Sequence, residues 1–225
     1  MKRRPPSGRS YLDVARIRPG AYGRSSFASQ RFWGAWRRVS SVHDLDVSLV
    51  ETVLTKMLND GKCLVRDVDG VQKYILTPTG RELGEELLRL EIDDSGTRSS
   101  IQMSYEKFLL LNPAMLQLCT DWQVIVDADG EQRLNDHKDA SYDEMILERL
   151  VKLESDLFLV LRDLETALMR YGGYAARFSY AREKLMLGEL DWLTKPIMPS
   201  YHTVWFELHE DLLASLGIDR ASESA

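Results

Sequence analysis

Histidine and tryptophan side chains recur in three short polar clusters of the carboxy-terminal half of the chain. His202, Trp205 and His209 are spaced to share one face of a helix, and Trp122 and His137 lie in the other two clusters. Buried imidazole and indole groups need polar partners or must face a cavity. We therefore predict a ligand pocket, with a closed structural hydrogen-bond network as the alternative. Its predicted lining is Asp121, Trp122, His137, His202, Trp205 and His209.

Metal binding and catalysis are not expected at these positions. His202 and His209 are two helical turns apart, ~10 Å along the axis, which is too far for both to ligate one zinc ion on a straight helix. Cys119 could act as a nucleophile only if the fold brought a histidine beside it, and nothing near it in the sequence predicts that. We expect no metal, no cofactor, no catalytic residue and no enzymatic activity.

The carboxy-terminal half reads as helical. We predict a helical segment over 105–126 that is interrupted at Asn112 and Pro113, where the proline starts a fresh helix. A loop is expected over 127–139. Two further helices are predicted over 174–187 and 201–216, and Gly217 should end the second.

A long helix is predicted between that loop and the two last helices. Ser141 and Glu144 have capping-box spacing at its start, and Gly172 and Gly173 are expected to end it. Its apolar seam predicts a small bundle, as a ligand-binding or dimerisation domain over 105–218. The seam could be the core of one chain or a contact between two. Its members are Ile146, Leu150, Leu153, Leu157, Val160, Leu161, Leu164 and Leu168.

The amino-terminal half contains a helix, a hairpin and a second helix in about forty residues. An amphipathic helix begins near Asp46 and is stopped at 59–61, and β-type runs follow at 64–68 and 71–76. Asp69 and Gly70 between them suit a tight turn. Thr79 and Glu82 have capping-box spacing at the start of the next helix. Less regular helices are predicted over 11–18 and 27–39.

This order, and the phrase from Tyr74 to Arg81, resembles the winged helix of MarR-like and PadR-like bacterial regulators. The polar-aromatic clusters resemble an actinobacterial family in which such a module precedes a helical region. That region is similar to the terminal extension of some phosphoenolpyruvate-utilising, dikinase-like proteins. The resemblance implies a mainly α fold with a small β-hairpin wing: a winged helix-turn-helix over 1–91 with a basic arm, and a helical bundle. A polar linker is expected over 92–104 and a disordered tail over 219–225.

The charge distribution favours a polyanion partner. Residues 1–90 carry a net charge of +6 and residues 91–225 a net charge of −12. We predict contacts to double-stranded DNA from the helix before the hairpin, from the wing and from the segment preceding both. The candidates are Arg31, Arg37, Arg38, Ser48, Thr52, Thr55, Lys56, Arg66 and Lys73.

Three functions compete at this point, the third being a small enzyme that would use the histidine and aspartate clusters, in contrast to the expectation of no enzymatic activity. The first is a DNA-binding transcriptional regulator, a homodimer whose helical domain dimerises or senses a small-molecule effector. The second is a protein-interaction module without DNA binding, partnering a phosphoenolpyruvate-utilising enzyme, which the arginine-poor recognition helix favours. Two scattered cysteines and the lack of a long apolar run predict a cytoplasmic protein without a membrane partner.

Overall fold

The helix before the hairpin forms as its apolar spacing predicts. In the computed structural model, which describes residues 46–68, 71–196 and 198–219, helix α1 spans Val47–Asn59. Asp46 caps its start by accepting from the backbone N–H groups of Ser48 and Leu49. Gly61 takes a positive φ of 67° just after its end. The expected stop at 59–61 is confirmed.

A two-stranded antiparallel hairpin follows α1. Strand β1 spans Cys63–Val68 and β2 spans Val71–Leu76, with Val68 opposite Val71. That register leaves two residues for the turn, as predicted, although the turn residues 69–70 lie outside the described part. The Thr77 hydroxyl donates to Gly61 O at 2.9 Å and the Thr77 N–H to Lys62 O at 3.0 Å. These bonds tie the end of the hairpin to the loop that precedes it.

The chain divides into two compact units, Met1–Thr77 and Pro78–Ala225. The helix after the hairpin, α2 at Pro78–Asp94, belongs to the second unit, where it packs on the last helix. Thr79 lies inside α2, so it is not the N-cap that its spacing with Glu82 suggested. The expected mainly helical fold with a small hairpin is confirmed, whereas the winged helix-turn-helix remains a prediction. The predicted helices over 11–18 and 27–39 lie outside the described residues.

The second unit is built on helices. They are α2, α3 (Arg98–Gln123), α4 (Ala140–Ala167), α5 (Gly173–Met186) and α6 (Tyr201–Leu216). Single 3₁₀ turns lie at Met169–Gly172 and Leu190–Trp192. A short antiparallel hairpin, β3 (Val124–Val126) with β4 (Gln132–Leu134), connects α3 to α4. Strand β3 replaces the end of the helical segment predicted over 105–126, and β4 lies in the loop expected over 127–139.

Helices α3 and α4 run antiparallel. Asp121 near the end of α3 pairs with Arg149 near the start of α4, and Lys107 near the start of α3 pairs with Asp163 near the end of α4. The apolar seam of α4 is buried from Ile146 to Leu164 inside this unit. The seam is therefore intramolecular core, and it no longer argues for a dimer contact.

Helix α6 has buried residues from its first turn to its last, whereas Phe206 and Glu207 are exposed. Val204, Leu208 and Leu212 are fully buried, and the helix packs on α2, α3 and α5. Gly217 follows with a φ of 70°, the left-handed conformation expected of a glycine after a helix.

Two predicted breaks in the second unit are wrong. Residues 92–104 are not an extended linker, because α2 continues to Asp94, α3 starts at Arg98, and Ile92 and Ile101 are fully buried. Pro113 lies within a continuous α3. A proline removes one helical donor and its ring crowds the carbonyl of the residue four positions earlier, and buried side chains on both sides offset this cost. They are Phe108, Met115, Leu118 and Trp122.

The long helix also starts and ends at residues other than those predicted. Asp139 is its N-cap and accepts from the N–H groups of Ser141 and Tyr142, so Ser141 lies inside the first turn. The helix ends at Ala167, before Leu168 turns extended, and Gly172 and Gly173 both have helical φ values. Their expected role as a left-handed stop is wrong, since Gly173 begins α5. The expected tail over 219–225 lies outside the described residues from position 220 onward.

Candidate functional site

The hairpin of the first unit presents two cations directly opposite each other. Arg66 on β1 is the register partner of Lys73 on β2. Neither side chain makes an ion pair with a residue in 46–68, 71–196 or 198–219. Like charges in directly opposed positions destabilise a hairpin, and an anion placed between them would relieve that repulsion. This pair is the strongest candidate in the first unit for binding a polyanion.

The two faces of this hairpin differ in exposure along β1, although Leu76, opposite Cys63, is 46% exposed. Leu64 and Ile75, on the face of Arg66 and Lys73, are 52% and 43% exposed. Cys63 on the other face is buried, and its thiol lies 3.9 Å from Leu54 O of α1. The cationic pair therefore sits on the outer, partly apolar face of the hairpin, away from α1.

Helix α1 offers less to a nucleic acid than expected. Ser48 Oγ donates to the Asp46 carboxylate, Thr52 Oγ1 donates to Ser48 O at 2.8 Å, and Lys56 Nζ donates to Asp60 at 2.7 Å. Thr55 is exposed. Three of the four predicted contact residues on this helix are thus engaged within the helix itself or with the residues that cap it.

The amino-terminal end of α1 is closed to phosphate. Asp46 already accepts from the backbone N–H groups there, and the hydrogen bond from Ser48 lowers the pKa of its carboxyl group. A carboxylate in that position repels an incoming phosphate. Arg31, Arg37 and Arg38, the remaining predicted DNA contacts, lie outside the described residues.

In the second unit, the structure brings together only part of the predicted pocket. Trp122 and His137 have ring centroids 4.6 Å apart. Asp121, although adjacent in sequence, instead accepts from Arg149 at 2.6 Å and from Gln117 at 2.7 Å. The pair of Trp122 and His137 lies where the end of α3 meets the β3–β4 hairpin and the start of α4.

His137 is fixed by a hydrogen-bond network that the sequence did not reveal. Its Nδ1 donates to Asp143 Oδ2 at 2.9 Å, and its backbone N–H donates to Asn135 Oδ1 at 3.0 Å. Asn135 Nδ2 donates to Asp143 Oδ1 at 2.8 Å and to Trp122 O at 3.1 Å. His137 also has a φ of 58°, which non-glycine residues adopt infrequently. This network locks the turn before α4.

Trp205 and His209 belong to a different region. Trp205 Nε1 donates to Asn112 Oδ1 at 3.0 Å. The rings of Trp205 and His209 both pack against Phe108, with ring centroids 4.7 and 5.4 Å from that of Phe108. Trp122 lies ~15 Å further along α3 than Asn112. Trp205 is 3% and His209 4% exposed. These two side chains are core residues of the bundle.

His202 lies apart from both of these groups. It is partly buried, its backbone N–H donates to Leu193 O at 2.9 Å, and burial lowers the pKa of its imidazole. The six predicted residues therefore occupy separate places in the second unit. They do not enclose one pocket.

A hollow of the second unit lies elsewhere, beside the second 3₁₀ turn. Its volume is about 400 Å³, and none of the six predicted pocket residues lines it. Its carboxylates are engaged, Glu189 with Lys184 at 2.8 Å and Asp191 with Lys195 at 2.5 Å. The residues that line it are Gly188, Glu189, Leu190, Asp191, Trp192 and Met198.

The described part of the chain offers little evidence for a reactive nucleophile or a metal site. Burial raises the pKa of the Cys119 thiol to about 12, so it stays protonated at neutral pH. No group of three His, Cys, Asp or Glu side chains there is arranged to hold a metal ion. Within the same residues, no helix combines the length and apolarity needed to cross a bilayer.

Sequence reasoning also missed the ion-pair network around Arg170. Its Nε lies 2.7 Å from Glu91 Oε2, and its other nitrogens donate to Asp211, Tyr171 and Ser215. This network joins α2, the first 3₁₀ turn and α6. The residues of this network are far apart in sequence, so no local sequence spacing predicts the network.

Comparisons with known proteins find no relative from which a function could be transferred. The chain matches no protein-family model, no curated protein and no solved structure. A function must therefore be inferred from the geometry of the hairpin and of the helical unit.

Proposed function

We propose that the first unit binds duplex DNA and that the protein acts as a transcriptional regulator. The observation that carries this proposal is the opposed pair of Arg66 and Lys73, which has no carboxylate partner among the described residues. A phosphate between the two side chains would neutralise both and release counterions from the DNA. The resemblance of the helix and hairpin to a winged helix supports the same function.

The proposed contacts are mainly to the phosphate backbone. The hairpin would lie against the duplex with Arg66 and Lys73 towards phosphates, and Thr55 on α1 is exposed and adds a hydroxyl donor. The amino-terminal end of α1, closed by Asp46, would not bind phosphate. Such contacts position a protein without reading bases, so we expect strong salt dependence and modest sequence preference.

The second unit is proposed to act as the regulatory half of the molecule. The buried seam of α4 removes the main argument for dimerisation through that helix. A homodimer is still proposed, because regulators of this kind read two half-sites with two-fold symmetry. An effector, if it binds, would need a site other than the one formed by the six scattered residues.

A second candidate function is a protein-interaction module. The described residues of the first unit carry four basic and four acidic side chains, so that part is neutral. The exposed Leu64 and Ile75 flank the cationic pair on the same face. A partly apolar, weakly charged face of this kind fits a protein partner with an acidic patch.

DNA binding can be tested by fluorescence anisotropy with labelled duplex DNA at low salt. The double variant Arg66→Glu with Lys73→Glu should lose binding. The matched control is Lys152→Glu with Arg162→Glu, which makes the same charge change at exposed positions of α4. The control should bind like the wild type. A wild type that does not bind, or a control that loses as much affinity as the hairpin variant, would refute the proposal.

A further inference from the structure

The end of α5 exposes apolar side chains directly beside the hollow of the helical unit. Leu187 and Met186 are 75% and 48% exposed. The next residue, Gly188, is the first of those that line the hollow at the second 3₁₀ turn. Exposed apolar surface that is contiguous with a concave site is typical of a protein interaction surface.

Hydrogen bonds of the backbone hold Leu187 in place. Its N–H donates to Glu183 O at 3.1 Å, and the N–H of Gly188 donates to Leu185 O at 2.9 Å. These bonds close the last turn of α5. The exposed Leu187 side chain therefore projects from an ordered helix end.

The walls of the hollow are also fixed by contacts within the unit. Trp192 Nε1 donates to Glu189 Oε2 at 2.9 Å, and the Trp192 ring meets the ring of Tyr180 edge-on with centroids 5.2 Å apart. Ser200 Oγ donates to Lys195 O at 2.8 Å on the chain that leads from the hollow to α6. A site that is already ordered loses little conformational freedom when it is filled.

The hollow suits an apolar side chain that enters from outside. Leu190, Trp192 and Met198 contribute apolar surface to it, and its volume of about 400 Å³ is larger than a leucine side chain. It opens to solvent, because Gly188 and Asp191 in its lining are exposed.

The charge of this surface favours a second copy of the chain as the partner. Residues 91–225 carry a net charge of −12, so two copies repel each other over much of this region. Residues 180–198 are neutral, with three basic and three acidic side chains. Both carboxylates in the lining are compensated, Glu189 by Lys184 and Asp191 by Lys195. Two copies can therefore approach through this surface without a net repulsion from its own charges.

We propose that two copies of the chain associate through this surface, with Leu187 of one copy inserted into the hollow of the other. A two-fold axis beside the hollow makes the contact self-complementary, because each copy supplies one Leu187 and one hollow. The proposal rests on the homodimer proposed above and assigns its interface to the end of α5 and the second 3₁₀ turn.

Sedimentation velocity of the full chain without DNA tests the interface. The wild type should sediment as a dimer at micromolar concentration. Leu187→Arg should raise the dimer dissociation constant about tenfold or more, because it places a charge in the apolar hollow. Leu110→Arg is the matched control and should leave the constant unchanged, since Leu110 is 81% exposed on α3 and does not line the hollow. A monomeric wild type, an unchanged constant in Leu187→Arg, or an equal rise in the control would overturn the proposal.

The result is separate from that of the DNA-binding assay, because no DNA is present. A dimer that fails to bind DNA would refute the regulatory function and leave the interface standing. A monomer that binds DNA would refute the interface alone.

Cysteine cross-linking tests which residues meet across the interface. Leu187→Cys protein is mixed with Met198→Cys protein and oxidised with copper phenanthroline, and the native Cys63 and Cys119 are both buried. The expected product is a covalent dimer that contains one copy of each variant. Leu110→Cys mixed with Met198→Cys is the control and should give no such dimer. Absence of the mixed dimer, or an equal yield in the control, would overturn the proposal.

Discussion

Arg66 and Lys73 face each other across the two strands of the first hairpin, with no acidic side chain of the described residues paired to either. A fold selected for stability alone would favour opposite charges in these positions. The arrangement is understandable if a polyanion completes it. Replacing one of these two cations by a carboxylate should therefore weaken DNA binding and stabilise the hairpin.

The substitution Lys73→Glu should stabilise the hairpin while weakening DNA binding. It places a carboxylate opposite Arg66, and a cross-strand pair of opposite charges contributes about 0.2–1 kcal/mol. Amide hydrogen exchange of the hairpin, measured without DNA, should slow accordingly. Lys62→Glu is the control, because Lys62 precedes β1 and its side chain is not part of the strand register. Faster exchange in Lys73→Glu than in the wild type would contradict this interpretation of the pair.

His202 should make the stability of the protein fall as the pH decreases below about 6.5. Burial lowers its pKa below the usual 6.5, so the unfolded chain binds the proton more readily than the folded one. Stability is then fully present above the unfolded pKa and is lost as the pH falls through the folded pKa.

Urea denaturation checks this prediction. The wild type and His202→Gln are compared at several pH values above and below about 6.5. The difference in unfolding free energy between the two proteins should change across the series, with the wild type losing more stability towards low pH. A difference that is constant with pH would show that His202 does not titrate differently on folding.

Arg170 should be one of the most costly charged residues to remove. It pairs with Glu91 and Asp211 and donates to Tyr171 and Ser215, and only 22% of its side chain is exposed. Removing one partner of a buried pair typically costs about 3–5 kcal/mol, because charges remain buried without compensation.

Thermal unfolding of Arg170→Met should therefore show a melting temperature lower by about 10 °C. Lys195→Met is the control, because Lys195 and its partner Asp191 are 55% and 63% exposed. An exposed pair of this kind contributes at most about 1 kcal/mol. Similar melting temperatures for the two variants would mean that the Arg170 network does not hold α2 and α6 together.

Two residues at the start of α4, Asp139 and Ser141, could serve as its N-cap, and substitution of each tells them apart. Asp139→Ala should lower the melting temperature, because Asp139 accepts from the N–H groups of Ser141 and Tyr142. Ser141→Ala should have a smaller effect, since its hydroxyl only donates to Asp139. A larger loss in Ser141→Ala would favour the cap that the sequence spacing suggested.

Periodicity predicted the helices of the second unit well, because a buried stripe such as Ile146 to Leu164 repeats within one element. Starts and ends were harder to predict. Asp139 and Ser141 both suit an N-cap, and only the backbone conformation decides between them. Pro113 was expected to break α3, but packing of Phe108 and Met115 on either side outweighs one missing donor.

The candidate site was harder still to predict, because its contacts join distant parts of the chain. The opposed positions of Arg66 and Lys73 follow from the two-residue spacing between the β-type runs at 64–68 and 71–76, so this pair could have been predicted from the sequence. Clustered histidines were not evidence of a shared pocket, since His137 bonds to Asp143 while His209 packs near Phe108. Residue type reports what a side chain can do, whereas its neighbours depend on the whole fold.

The salt dependence of DNA affinity tests the central claim most directly. The logarithm of the binding constant should fall linearly with the logarithm of salt concentration for the wild type. For Arg66→Gln with Lys73→Gln, the slope should be shallower by about 2, because two phosphate contacts are lost. Parallel lines for the two proteins, or no salt-dependent binding by the wild type, would contradict the account.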